Sequence, residues 1–131
     1  MVDTQCYSVL VAEDDRVMSD VIRFNLERHG YKVVVARDGQ EAVNRLQCER
    51  FDMLVTDYQM PRMNGEELVR TLRDARPDDG MPVILLSARG MELDAAHLQA
   101  ELRIDMVMFK PFSPRELSEA VARCIQQHAV A

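Results

Sequence analysis

The sequence has no tryptophan, few aromatic residues and no long apolar run, and each absence excludes a class of function. Aromatic residues make up 5% of the 131 residues, which is too few for a platform that stacks single-stranded nucleic acid. The longest apolar runs, such as residues 83–86, are far shorter than the ~20 residues of a membrane-spanning helix. The first residues have neither the basic segment nor the apolar stretch of a secretory signal. We therefore expect no membrane association and no export.

Positive charge and paired cysteines are also scarce. Sixteen Lys and Arg against 22 Asp and Glu give a formal net charge of −6, and no basic run is present. Because this balance repels phosphate backbones, we do not expect direct binding to nucleic acid. Cys6, Cys48 and Cys124 are widely spaced without a CxxC pair, which is typical of reduced, buried thiols in a cytoplasmic protein.

Short apolar runs alternate with segments of helical period five times along the chain. The predicted strands are residues 7–12, 31–36, 52–57, 82–87 and 105–109, and the predicted helices are residues 16–29, 39–49, 65–75, 91–103 and 114–128. Strands that are apolar almost throughout are typical of burial on both faces. Five strand–helix units predict an α/β fold, with a five-stranded parallel sheet between helices on both faces. With no linker or repeat, residues 1–131 are expected to form one domain.

Cap residues support the predicted helix boundaries. A capping side chain followed three residues later by glutamate is typical of a helix N-terminus. The pairs are Asp38–Glu41, Asn64–Glu67 and Ser113–Glu116.

Charged and polar side chains follow four of the five predicted strands. In an open parallel sheet, ligands bind outside the carboxyl ends of the strands. The residues at these ends are Glu13-Asp14-Asp15 after the first strand, Asp57 at the third, Ser87-Ala88 at the fourth and Lys110-Pro111 at the fifth. We expect them to meet on one edge of the sheet.

This set of side chains restricts the chemistry that the edge can perform. Clustered carboxylates cannot all stay ionised cheaply unless a cation intervenes. Oxygen ligands without His or Cys select a hard divalent ion such as Mg²⁺. A carboxylate beside such an ion, with a lysine opposite, can act as a nucleophile toward a phosphoryl group. The acyl phosphate adds negative charge, and the Ser87 hydroxyl and the Ala88 amide are the nearest donors to receive it.

A longer motif then identifies a family. Residues 57–65 read DYQMPRMNG, which fits the pattern D-x-x-M-P-x-M-[DN]-G. Together with Glu13-Asp14, Ser87-Ala88 and Lys110-Pro111-Phe112, this loop resembles the receiver domain of two-component response regulators, over residues 8–127. The resemblance implies a flavodoxin-like fold with strand order 2-1-3-4-5.

The resemblance also implies the roles of the metal-site residues. Asp57 would be the phosphoacceptor. Asp14 and Asp57 would bind Mg²⁺ directly, the main-chain carbonyl of Gln59 would be a further ligand, and Glu13 would act through water. Asp15 lies one place too far along and is interpreted as the N-cap of the first helix.

Other implied roles concern the phosphoryl group and the switch. Ser87, Ala88 and Lys110 would bind the phosphoryl oxygens, and the bond from Lys110 to the following proline would be cis. The family usually has an aromatic residue or histidine three places before the lysine, whereas this chain has Val107. Phe109 falls on the same side of the strand and is a candidate for a partial substitute.

Two further residues lie at positions that tune the lifetime of the acyl phosphate in similar proteins. They are Gln59 and Arg89.

The implied function is a signalling switch, without metabolic turnover, that forms and hydrolyses its own aspartyl phosphate. A histidine kinase or histidine phosphotransfer protein would donate the phosphoryl group. The face formed by helix four, strand five and helix five would then change its affinity for a protein target. Whether the chain is a stand-alone receiver or part of a larger regulator is left open.

Two alternative functions share the predicted fold. A phosphohydrolase of the haloacid-dehalogenase type also uses an aspartate at a strand end, but it needs a second aspartate where this chain has Gln59. A flavodoxin-like cofactor binder needs a phosphate loop after the first strand, where Glu13 and Asp14 would repel a flavin phosphate. Fold alone does not separate these functions.

Overall fold

The computed structural model describes residues 6–88 and 95–129. The strands are β1 (Ser8–Ala12), β2 (Lys32–Ala36), β3 (Met53–Asp57), β4 (Val83–Ala88) and β5 (Met106–Lys110). The helices are α1 (Arg16–Arg28), α2 (Gly39–Cys48), α3 (Gly65–Ala75), α4 (Ala95–Leu102) and α5 (Pro114–Ala129). Each predicted strand and helix is present, with ends that differ by a few residues. Arg89 and residues 91–94, where the fourth helix was predicted to begin, lie outside the described part of the chain.

The sheet has the predicted order β2-β1-β3-β4-β5, and all neighbouring strands are parallel. Alternate residues of each central strand enter two separate cores. Leu10 and Leu54 pack with α2, α3 and α4 on one face. Val11 and Val55 pack with α1 and α5 on the other. The flavodoxin-like architecture is therefore confirmed.

The predicted caps are present and fix where the helices begin. Asn64 and Glu67 form a reciprocal capping box at the start of α3, and the Asp38 side chain accepts from the Glu41 amide at 2.8 Å. Asp15 caps α1, as predicted, by accepting from the amides of Val17 and Met18. The chain therefore leaves the ends of β1, β2 and β3 in defined directions.

The end of α4 is held by a buried arginine of α3. The Arg73 guanidinium donates to the carbonyls of Leu102 at 3.0 Å and Arg103 at 2.9 Å. It also donates to the carbonyl of Asp79 at 3.2 Å. The first two bonds satisfy carbonyls that the C-terminus of α4 leaves without helical partners.

The prediction of buried cysteines is correct for one of the three. Cys124 is buried in the α1–α5 core, where burial raises the pKa of its thiol to about 11. Cys6 and Cys48 are exposed, because Cys6 precedes β1 and Cys48 ends α2 on its solvent side. None of the helices among residues 6–88 and 95–129 has the length and the hydrophobicity that crossing a bilayer requires.

Candidate functional site

The carboxyl ends of β1, β3 and β5 bring two carboxylates and one ammonium group together. Lys110 Nζ lies 3.2 Å from Asp57 Oδ1 and 3.4 Å from Glu13 Oε1. Asp57 and Lys110 are the last residues of their strands, and Glu13 directly follows β1. The strand ends therefore place all three side chains at one edge of the sheet, as the sequence predicted.

Asp14 completes an acidic cluster with these carboxylates. One carboxylate oxygen from each of Glu13, Asp14 and Asp57 lies within 4.8 Å of the others. Glu13 and Asp57 are buried, whereas Asp14 is exposed at the rim. Three converging carboxylates with one open side fit a hard divalent cation that keeps some of its water.

Burial sets the protonation of the cluster. Desolvation, together with the charge of Asp57, raises the pKa of Glu13 to about 7. Desolvation also raises the pKa of Asp57, with a smaller contribution from Asp14, although the lysine opposes both. Burial alone would lower the pKa of Lys110, but its two carboxylate partners outweigh this and raise it. The lysine is therefore charged, and the two buried carboxylates compete for it.

The raised pKa of Glu13 predicts how the stability of the metal-free protein depends on pH. The folded state holds a proton on Glu13 up to about pH 7, whereas the unfolded chain loses it near the ordinary value of 4.5. The unfolded state binds fewer protons between these values, so the free energy of unfolding falls as pH rises through this interval. We expect Glu13→Gln to flatten this part of the profile in urea titrations without metal. Equal slopes for the two proteins would contradict this interpretation.

The residues predicted to bind the phosphoryl group lie on the neighbouring strand ends. In the register of the sheet, Asp57 pairs with Leu86, so Ser87 lies one residue beyond the level of Asp57. Ala88 pairs directly with Lys110. The Ser87 side chain is buried, and its hydroxyl has a long contact of 3.4 Å to the Ala88 carbonyl.

Val107 and Phe109 share one side of β5 but have different surroundings. Val107 packs against the core under α2, α3 and α4. Phe109 pairs with Ser87 in the register and is 43% exposed. Phe109 therefore lies beside Ser87 and is accessible from solvent, whereas Val107 is a partly buried valine packed against the core.

The loop between β3 and α3 approaches the backbone of Asp57 very closely. Gly65 begins α3, and its amide donates to the Tyr58 carbonyl at 2.8 Å. A Cβ at Gly65 would lie 2.5 Å from the Asp57 carbonyl oxygen and 2.8 Å from a methyl carbon of Leu85. Only glycine therefore permits this packing. The sequence analysis used Gly65 as part of a motif and missed this steric role.

Three further predictions concern Gln59, the peptide bond after Lys110 and Arg89. Gln59 is exposed in the same loop, two residues after Asp57. The Lys110–Pro111 peptide is cis, as the resemblance implied. Arg89 lies outside the described residues.

An exposed apolar stripe on α1 begins one turn from the acidic cluster. Val17 and Phe24 are 72% and 65% exposed, and Val21 lies between them on the same helix face. Arg28 lies over the Phe24 ring, with 5.8 Å between its guanidinium carbon and the ring centroid. The sequence analysis did not single out this stripe.

These features define a doubly wound parallel α/β protein with a buried carboxylate–lysine site at the carboxyl edge of its sheet. The family model of the response regulator receiver domain matches residues 9–122. The chain therefore belongs to the response regulator receiver domain family, whose members are signalling domains of two-component systems and not classical enzymes.

Individual relatives have similar sequences and structures. The chain is 35% identical over 123 residues to the alkaline phosphatase synthesis transcriptional regulatory protein PhoP of Bacillus subtilis (strain 168). The match covers 94% of this chain and 50% of the relative, so the chain spans about half the length of that protein.

Two solved structures have the same fold over nearly their whole length. The Francisella response regulator 1452 receiver domain has a TM-score of 0.84 and 31% identity, covering 93% of this chain and 98% of its own. The CheY-like response regulator receiver domain protein of Methanospirillum hungatei has a TM-score of 0.85 and 26% identity, covering 94% and 96%.

Proposed function

We propose that this receiver domain accepts a phosphoryl group on Asp57 in a reaction that requires Mg²⁺. The proposal rests mainly on one observation: Asp57 is buried at a strand end, 3.2 Å from the Lys110 ammonium, within a cluster of carboxylates that fits a divalent cation. Structural ion pairs also perturb pKa values, but a merely structural pair has no need of two further carboxylates at the same place.

The metal would be held by Asp14 and Asp57, with the Gln59 main-chain carbonyl as a further ligand and Glu13 acting through water. Mg²⁺ bound there supplies positive charge that neutralises the acidic cluster and the phosphoryl oxygens. Without a cation, desolvation keeps a proton on Glu13 up to about pH 7, and the remaining carboxylates repel the negative phosphoryl group.

The transfer itself uses the side chains at the strand ends. A carboxylate oxygen of Asp57 forms a bond to phosphorus as the bond from phosphorus to the donor breaks, and the donor leaves with that electron pair. Lys110 then binds a phosphoryl oxygen in place of a carboxylate. The Ser87 hydroxyl and the Ala88 amide donate to the remaining oxygens.

The donor would be the phosphohistidine of a histidine kinase or of a histidine phosphotransfer protein. The exposed α1 stripe supports a protein donor, because apolar side chains beside the pocket can pack against a partner that delivers the group. The output would be the α4–β5–α5 face, where Phe109 lies exposed beside Ser87. Movement of Ser87 toward the new phosphate would change the surroundings of this ring and the affinity for a protein target.

Modification by a small phosphodonor tests the proposal directly. We expect incubation with acetyl phosphate and Mg²⁺ to add one phosphate to the intact protein, as seen by mass spectrometry. The adduct should be removed by hydroxylamine, which cleaves acyl phosphates, and should not form when EDTA removes the metal. An unmodified protein, or a modification equally abundant with EDTA, would overturn the proposed function.

A further inference from the structure

The loop between β3 and α3 contains an uncommon turn. Arg62 has a φ of +69°, and the Met63 amide donates to the Pro61 carbonyl at 2.7 Å. A hydrogen bond from residue i+2 to residue i across a central residue with positive φ is a γ-turn of the strained form. A non-glycine residue persists in such a conformation only where its surroundings hold it.

An ion pair supplies one of these holding contacts. The Arg62 guanidinium forms an ion pair with Oδ2 of Asp38, the N-cap residue of α2. Asp38 uses its other carboxylate oxygen to cap α2 through the Glu41 amide. The capping bond and the arginine together lower the pKa of Asp38, so the carboxylate is charged at neutral pH.

Close packing supplies the second contact. A Cβ at Gly39, the first residue of α2, would lie 2.7 Å from the Met63 Cβ and 2.8 Å from its Cγ. The Met63 side chain therefore rests directly on the backbone of Gly39. Adjacent loop residues 62 and 63 thus contact adjacent residues 38 and 39.

We propose that these four residues, Asp38, Gly39, Arg62 and Met63, form a clasp that positions the β3–α3 loop for metal binding. Arg62, the first loop residue of the clasp, lies three residues after Gln59. This inference rests on the proposed function, which assigns the Gln59 main-chain carbonyl to the metal. With Asp57 fixed at the end of β3 and the clasp fixed on α2, the backbone at Gln59 has little freedom. Arg62 and Asp38 are then positioning residues, which set the affinity for the cation without touching it.

Calorimetric titration of the phosphate-free domain with Mg²⁺ tests the clasp by a readout other than phosphorylation. Asp38→Asn retains an oxygen that can cap α2 but removes the charge, and Arg62→Ala removes the partner. An exposed ion pair contributes up to about 1 kcal/mol, so we expect each variant to bind Mg²⁺ up to about fivefold more weakly. Both substitutions break the same contact, so the Mg²⁺ affinity of the double variant should equal that of the single variant that binds less tightly.

Two more variants distinguish the clasp from a general effect of charge. Arg62→Gly loses the ion pair but adopts positive φ without cost, so its Mg²⁺ affinity should exceed that of Arg62→Ala. Arg45→Ala breaks a comparable pair of 3.0 Å to Glu49 at the far end of α2 and should bind Mg²⁺ like the wild type. If Asp38→Asn and Arg62→Ala both bind Mg²⁺ like the wild type, the clasp is overturned but the proposed function is not. The same conclusion follows if the affinity losses of the two single variants add fully in the double variant. Failure of the wild type to bind Mg²⁺ would overturn the proposed function as well.

Discussion

Asp57→Asn is expected to abolish phosphorylation and, in the absence of metal, to make the fold more stable. Asparagine keeps the shape of the side chain but lacks the nucleophilic carboxylate, so no acyl phosphate can form. It also removes a buried charge that competes with Glu13 for Lys110. The amide oxygen can still accept from Lys110, so the ammonium keeps a partner. Under the proposed function, we therefore expect Asp57 to lower the stability of the domain while it enables the chemistry.

Two measurements check this prediction. Intact mass after acetyl phosphate treatment should show no adduct, and urea unfolding in EDTA at neutral pH should have a higher midpoint than the wild type. Because the charge of Asp57 contributes to the raised pKa of Glu13, the pH-dependent loss of stability should be smaller in the variant and should end at a lower pH. Asp20→Asn, the same change at an exposed helix position paired with Arg23, should alter none of these. An adduct on Asp57→Asn would place the acceptor elsewhere.

The sequence predicted the fold and the central site for the same physical reason. Strands buried on both faces are continuously apolar, so the first polar residue after each run marks its end. Parallel strands bring those ends to one edge, which is why Glu13, Asp57 and Lys110 could be placed together from the sequence alone. Local cap chemistry fixed the helix starts at Asp38 and Asn64, because a capping bond involves residues close in sequence.

Contacts between loops could not be predicted in this way. Arg62 and Asp38 are 24 residues apart, and no sequence pattern predicts that they form an ion pair. Their contact depends on the distance between the β3–α3 loop and the N-terminus of α2. The positive φ at Arg62 could not be predicted from the sequence either, since arginine has no preference for the left-handed region of backbone conformation. The exposed thiols of Cys6 and Cys48 were mispredicted because composition gives the redox state of a compartment but not the burial of a side chain.

Gly65→Ala is expected to destabilise the domain, although alanine is the better helix former. In an exposed helix interior this change would add about 1 kcal/mol of stability. Here the new methyl carbon would lie 2.5 Å from the Asp57 carbonyl oxygen and 3.0 Å from the Tyr58 Cα. The neighbouring Leu85 side chain is fully buried in the core, and the two backbone atoms cannot move without displacing β3 or α3. Overpacking of this kind costs about 1–3 kcal/mol, so the sign of the effect reverses.

Gly65→Ala is also expected to weaken metal binding and phosphorylation, because it displaces backbone atoms of the site. Pushing α3 away from the end of β3 moves the backbone that carries Asp57 and Gln59, so Mg²⁺ affinity and the rate of acetyl phosphate labelling should fall even where the variant is fully folded. Gly80→Ala is the matched control, because its Cβ would meet the His128 ring at an ordinary 4.0 Å. We expect urea unfolding to show a loss for Gly65→Ala and little change for Gly80→Ala. Equal stability of the two variants would mean that the approach of α3 to Asp57 is looser than these distances imply, and the steric role of Gly65 would have to be abandoned.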